Sequence, residues 1–401
     1  MGQQPHHQVS LPAVEGAEYV SRRRALSNAV AELGTDGWVA FGDDGRFGGP
    51  NHIRYLTGFD PHFEPVFLAS RGERACLLSG AETKGLAGLC PFLVDPVEIE
   101  AIRELAYPGL EYTTIELVDG VELMREIFAG LETVALVGVS AVRSADHAAI
   151  IDPLSETFHT RPADDIAFRL RAQKSEAEHR AIDYAYAIAA LGMAAAMHSL
   201  APGVAEREVA AEAEYAMRKA GAENFAFDTM VGSGPNSSTI LTRSTGKPIA
   251  AGEMVTITLA PRYDGYGVSF SRPFVLGTPP AALAVAVETG WRAFEAAAEL
   301  LRPGLTGADA TRAARDTVRA GSLGAAVEDV WVHSMGVIEF EPPFFDPTSA
   351  ATIEAGMALS IDVPLFHAPW GGFRIEDGYE IIETGARPRT ANARGTFPFR
   401  L

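Results

Sequence analysis

The sequence predicts an α/β chain of the α+β kind in two domains, residues 1–165 and 166–401. Three observations lead there. Up to about Pro162, short β-rich segments alternate with helical stretches. From Arg169 to Leu200 the chain reads as one long helix. Beyond it, a helix-then-strands pattern occurs twice.

In the first part, Gly37–Phe41, Pro65–Ala69 and Thr133–Val137 read as strands and Val121–Leu131 as a helix. The long helix is rich in Ala and Glu at first and apolar later, and it ends before Pro202. Leu200-Ala201-Pro202-Gly203 and Leu301-Arg302-Pro303-Gly304 each introduce an Ala-rich helix, ending at Gly221 and Gly321. Strand-like sequence follows both, which predicts a pseudo-two-fold sheet with helices on one side. Between them, Val255–Leu259 alternates β-branched and apolar residues. Asp264-Gly265 then suits a two-residue hairpin turn. The return arm, Tyr266–Arg272, is expected to bring Ser269 back to the level of Thr258.

Composition narrows the function classes. The 401 residues allow ample core, and no apolar run approaches the roughly 20 residues of a membrane span. Cys76 and Cys90 are too few for a disulfide framework, and the polar start lacks an apolar signal core, so a cytoplasmic setting is expected. A net charge of −19 argues against a nucleic-acid or membrane partner, since both need a basic face.

The order His333, Glu341, Asp362, Glu376 after the hairpin resembles the methionine aminopeptidase, prolidase and creatinase family, the pita-bread fold. Further matches are Lys174-Ser175 with Glu178 opening the linker helix, and Val231–Asn236 before the hairpin. Asn51–Phe59 looks like the family's amino-terminal-domain strand-turn. The resemblance implies a creatinase-like amino-terminal domain and a pita-bread carboxy-terminal domain. In the family's metalloenzymes five side chains bind two metals. The positions that match them here are Thr258, Ser269, His333, Asp362 and Glu376, so two aspartates are replaced by hydroxyls. Two histidines that serve the peptidases match Leu241 and Phe340. Neutral hydroxyls bind divalent ions poorly beside carboxylates. No metal and no other cofactor is therefore expected, a single ion on His333, Asp362 and Glu376 being the lesser reading.

Creatinase also lacks the hairpin aspartates, and this chain shares its pattern in His333–Val337 and Gly371–Glu376. The expectation is a metal-independent enzyme acting on a small polar non-peptide molecule, by creatinase-like C–N hydrolysis. A lyase or isomerase moving a proton next to a carbonyl is an alternative, and a peptidase-like binding module without catalysis is another. His333, Glu376 and Asp362 are the catalytic candidates, because like charge and burial would raise a carboxyl pKa beside an imidazole. Thr258, Ser269, Glu341, Arg374, His367, Trp370, Glu64 and His62 are the candidates for holding substrate. The resemblance also implies a homodimer.

Overall fold

The structure is a computed structural model, and it describes residues 14–43, 51–90, 93, 97–321, 330–390 and 393–401. Its first sheet has six strands. In spatial order they are Val97–Ala101, Arg74–Ser79, Val66–Arg71, Gly37–Gly42, Thr133–Val137 and His159–Pro162. Strand alternation splits its side chains between two cores. Val39, Phe41, Phe67 and Leu78 pack with Met124, Ile127 and Phe128 at the helix Gly120–Ile127. Trp38, Ala40, Leu68 and Leu77 face the other way, towards Tyr19 and Leu26 on the helix Gly16–Ala29.

Two local expectations are corrected. Asn51–Phe59 is not a strand-turn but a short helix, His52–Thr57, entered from Asn51 at φ 46° and ended by Gly58 at φ 73°. Gly58 reaches that left-handed conformation without a Cβ penalty, which closes the helix. The long helix is two helices, Asp164–Ala172 and Glu176–Ser199. Ser175 accepts from the Glu178 backbone N–H while the Glu178 carboxylate accepts from the Ser175 N–H. This reciprocal cap starts a new helix and breaks the run.

The second sheet has eight strands. In order they are Glu341–Phe344, Trp331–Ser334, Ala358–Ala368, Gly371–Ile382, Phe270–Val275, Met254–Leu259 and Met230–Ser233, with Gly385–Pro388 beside Gly371–Ile382. Val255, Ile257 and Leu259 share a core with the helices Glu176–Ser199 and Glu206–Lys219. Leu359, Ile361, Val363, Phe373 and Ile375 pack with Ala281–Ala298 and Gly307–Ala320. The residues between them, Thr256, Thr258, Asp362, Arg374 and Glu376, therefore fall on the opposite face.

The pseudo-two-fold repeat is visible in single hydrogen bonds. Gly203 donates to the Ile249 carbonyl at 2.8 Å and receives its strand at Val204, where Ile249 donates back at 2.9 Å. Gly304 donates to Ile353 at 2.9 Å, and Ile353 donates to Leu305 at 2.8 Å. Both glycines have positive φ, 92° and 86°. Among the described residues no helix is long and apolar enough to cross a membrane.

Candidate active site

Asp362 and Glu376 are direct cross-strand partners, so their carboxylates project side by side from the face away from the helices. Arg374 lies two residues before Glu376 on that face. Its Nε is 3.1 Å from Asp362 Oδ1, and one terminal nitrogen is 4.0 Å from Glu376 Oε2. Glu376 accepts hydrogen bonds from Ser269 Oγ and from Ser360 Oγ, the latter at 3.2 Å. His333, buried on the neighbouring strand Trp331–Ser334, has Nε2 3.7 Å from Glu376 Oε1. Its Nδ1 is 3.0 Å from the Ser334 carbonyl. A carbonyl only accepts, so Nδ1 carries the proton and Nε2 faces the carboxylate.

A further acid completes the cluster. Glu339, on the loop after His333, brings an oxygen to within 4.8 Å of ligand atoms of His333 and Glu376. The electrostatics follow from one guanidinium beside several carboxyls in a dry floor. Burial pushes Glu339 up to about 7, with the Glu376 charge adding to it. Burial also pushes Asp362 up, against the pull of Arg374. For Glu376 burial is outweighed by His333, Arg374 and Ser269, which hold it below the ordinary carboxylate range. Burial alone would lower His333, but the Glu376 carboxylate 3.7 Å from its Nε2 outweighs that and raises it, favouring the imidazolium.

Several sequence-predicted residues are elsewhere. Thr258 pairs with Ser271 rather than Ser269, because the hairpin bends out of the sheet. Its tip strands, Pro261–Tyr263 and Tyr266–Gly267, join Asn224–Phe225 in a separate small sheet. The two hydroxyls Thr258 Oγ1 and Ser271 Oγ lie 2.7 Å apart, and Ser269 is committed to Glu376. Glu341 does not face the cavity. It is 1% exposed and clamped by Arg171 and by Lys174, the latter at 3.2 Å. Those two cations outweigh burial and keep its pKa low. Trp370 stacks on Phe373 at 5.9 Å on the helix side of the sheet, and His367 is exposed at the hairpin tip with φ 62°. Glu64 accepts from the Thr83 N–H at 2.8 Å, tying down the start of the helix Ala81–Ala87. His62 lines a neighbouring polar cavity with Asp43, Arg54 and Asp60. Glu339 and Ser360 escaped the sequence reading. Their only signal is their nearness to His333 and Asp362 in the chain.

The cluster forms the floor of a cavity of about 690 Å³. Its walls are largely apolar, with Phe227, Met230, Leu241, Trp331 and Phe340 among them. Phe340 packs tilted against the His333 ring at 4.4 Å and stacks on Phe344 at 4.6 Å. The charged groups at the mouth have their own partners: Arg243 is 3.6 Å from Asp228, and Arg262 is 3.4 Å from Asp60.

A pita-bread sheet with carboxylates and an imidazole on its open face defines a class, and the comparisons agree. The profile of metallopeptidase family M24 matches residues 180–383, and the chain belongs to that family. It is 28% identical over 341 residues to an Xaa-Pro dipeptidase of Pyrococcus horikoshii, covering 85% of this chain and 97% of that protein. It is also 28% identical over 377 residues to the probable dipeptidase PepE of Mycobacterium tuberculosis, covering 92% and 94%. The crystal structure of the prolidase from Pyrococcus horikoshii OT3 superposes with a TM-score of 0.77 at 23% identity, over 92% of this chain and 98% of that one.

These findings overturn the expectation of a metal-independent enzyme acting on a non-peptide molecule, whether by C–N hydrolysis of a creatine-like compound or as a lyase or isomerase. The chain lies within a metallopeptidase family, and its curated relatives bear dipeptidase names over most of its length. A metallopeptidase family implies a metal centre on these donors. A two-ion centre on the five matched positions does not fit. Thr258 and Ser269 offer hydroxyls already engaged within the protein, and Asp362 is held by a guanidinium.

Proposed function

We propose that the protein is a dipeptidase-type hydrolase that cleaves the amide bond of a short peptide over the Asp362–Glu376 floor. The observation that carries this reading is the opposed carboxyl pair, one held ionised and one pushed up, at the base of a cavity of about 690 Å³. Small-ligand sites have about this size. The dipeptidase names of relatives matched over 85% or more of the chain support the peptide as substrate.

Hydrolysis adds water across the amide, and the departing nitrogen must receive a proton. Asp362, with its raised proton affinity, is the donor to that nitrogen, and Glu376 presents a carboxylate to the attacking water. Arg374 steadies both carboxyls, and His333 holds Glu376 in place. The apolar wall of Leu241, Trp331 and Phe340 receives the peptide's side chains, with the ionised ends at the charged floor and mouth.

Purified protein incubated with a panel of Xaa-Pro and other dipeptides, read by release of free amine, tests this. Turnover is expected, and Glu376→Gln should lower it by at least about 100-fold in protein that thermal melting shows still folded. No turnover of any dipeptide sinks the reading. The same reading keeps the division near residue 165 and a homodimer, and a monomer by light scattering would remove the dimer.

A further inference from the structure

We propose that Lys174 is a positioning residue for His333: it clasps the two ends of the loop 335–340 together and so sets the imidazole beside Glu376. The proposal deepens the peptidase reading and rests on it only for the effect on rate, since the setting of the ring is measurable without substrate.

The loop leaves the sheet at Ser334 and re-enters it at Glu341, and these two residues face each other across the strand pair. The ladder is irregular there. His333 lies opposite Phe344, and the register slips before Ser334, because Pro342 and Pro343 have no N–H to offer. Side chains hold the gap. The Lys174 side chain is fully buried, and its Nζ donates to Ser334 Oγ at 2.9 Å and to Glu341 Oε1 at 3.2 Å. One ammonium thus spans both ends of the loop. Its own place is fixed, because Lys174 lies in the break between the helices Asp164–Ala172 and Glu176–Ser199. There its backbone N–H donates to the Gly356 carbonyl at 2.8 Å.

From this clasp to the site is a single step. The Ser334 carbonyl accepts from His333 Nδ1 at 3.0 Å, while Nε2 on the far side of the ring is 3.7 Å from Glu376. Ser334 therefore holds the imidazole by its backbone and is itself held by its hydroxyl. The loop's other end is seated as closely. The Ile338 N–H donates to Glu341 Oε2 at 3.4 Å, and a Cβ on Gly336 would collide with Glu341 Oε1. Between these ends the loop delivers Glu339 and Phe340 to the cavity, Phe340 against the His333 ring. Opening the clasp would let carbonyl, imidazole and Phe340 shift together.

The test compares wild-type protein with Lys174→Met and Ser334→Ala. Labelling histidine with ¹⁵N, with His333→Asn for assignment, isolates the His333 Nδ1–H signal and its exchange with solvent. In folded Lys174→Met that exchange is expected to speed up at least about tenfold as the bond to Ser334 opens more often. For dipeptide hydrolysis kcat should fall about 10- to 100-fold, the cost of a displacement near 1 Å, with KM changed less than about threefold. Methionine takes one of two cations from Glu341 and lowers stability. Ser334→Ala removes one hydroxyl and no charge, is expected to act in the same direction, and decides the matter where Lys174→Met does not fold. Unchanged exchange in Ser334→Ala or in folded Lys174→Met overturns the proposal, as does faster exchange at an unchanged kcat. Faster exchange in the variants of a protein that turns over no dipeptide upholds the clasp and sinks the peptidase reading.

Discussion

Glu339 and Glu341 stand two residues apart and meet opposite fates. Glu339 turns into the cavity beside Glu376, while Glu341 is driven between Arg171 and Lys174 in a site that water does not reach. Removing one member of a buried ion cluster leaves the others uncompensated. Glu341→Gln should therefore lower stability by about 3–5 kcal/mol, read by urea denaturation. Glu339→Gln should change stability by under about 1 kcal/mol, because a half-buried carboxyl that already resists ionisation loses little. Equal effects from the two substitutions would contradict their placement. Spacing could not separate them, since the stretch 335–340 is a loop and follows no strand alternation.

At the level of elements, caps and turns decide where the chain changes direction. Ser175 and Glu178 satisfy each other's N–H groups at the start of Glu176–Ser199. Ser175→Ala should cost about 1 kcal/mol by urea denaturation. The turn Asp264-Gly265 has φ 49° and 85°, as a tight hairpin needs. A Cβ at Gly265 would also collide with the Arg54 side chain, whose guanidinium is 2.8 Å from Asp264. Gly265→Ala should destabilise by about 1–3 kcal/mol, and a neutral result would mean that the hairpin tip does not dock on the helix His52–Thr57. The turn was legible because only a few residue types tolerate that backbone. The bend that carries the hairpin from the large sheet into the small one was not. It moves the partner of Thr258 from Ser269 to Ser271, a shift that depends on Asn224–Phe225 far back in the chain.

On the scale of the whole molecule, the two halves meet through a buried polar seam. His52, fully buried, accepts from Arg171 at 3.2 Å, and its other nitrogen is 3.8 Å from Asp164. Burial lowers its pKa to about 4, with the Arg171 charge in the same direction and Asp164 opposing. The folded chain thus stays unprotonated where the unfolded chain binds a proton, between about pH 6.5 and 4. Its contribution is intact above that window and is lost as pH falls through it, by about 3 kcal/mol in all. Urea midpoints at pH 7 and pH 5 should show the fall, and His52→Gln should flatten it. An equal slope in the variant would place the titration elsewhere.

Sequence alone determined the fold class, the helix-then-strands repeat and the tight turn, and it singled out His333, Asp362 and Glu376, which the fold gathers on one face of the sheet. These depend on side-chain period, on turn-forming residues and on a fixed order of motifs, all of which are local. It misled on substrate class, where loss of two carboxylates suggested a departure from peptides that the relatives do not share. Tertiary structure decided which polar side chains reach the cavity. Glu64 and Glu341 were expected to hold substrate and Glu339 was not, yet helix capping took the first and the Arg171–Lys174 clamp the second, while Glu339 lines the cavity. A carboxylate goes to whichever partner best offsets its desolvation, and that partner is set by distant segments that only folding brings together.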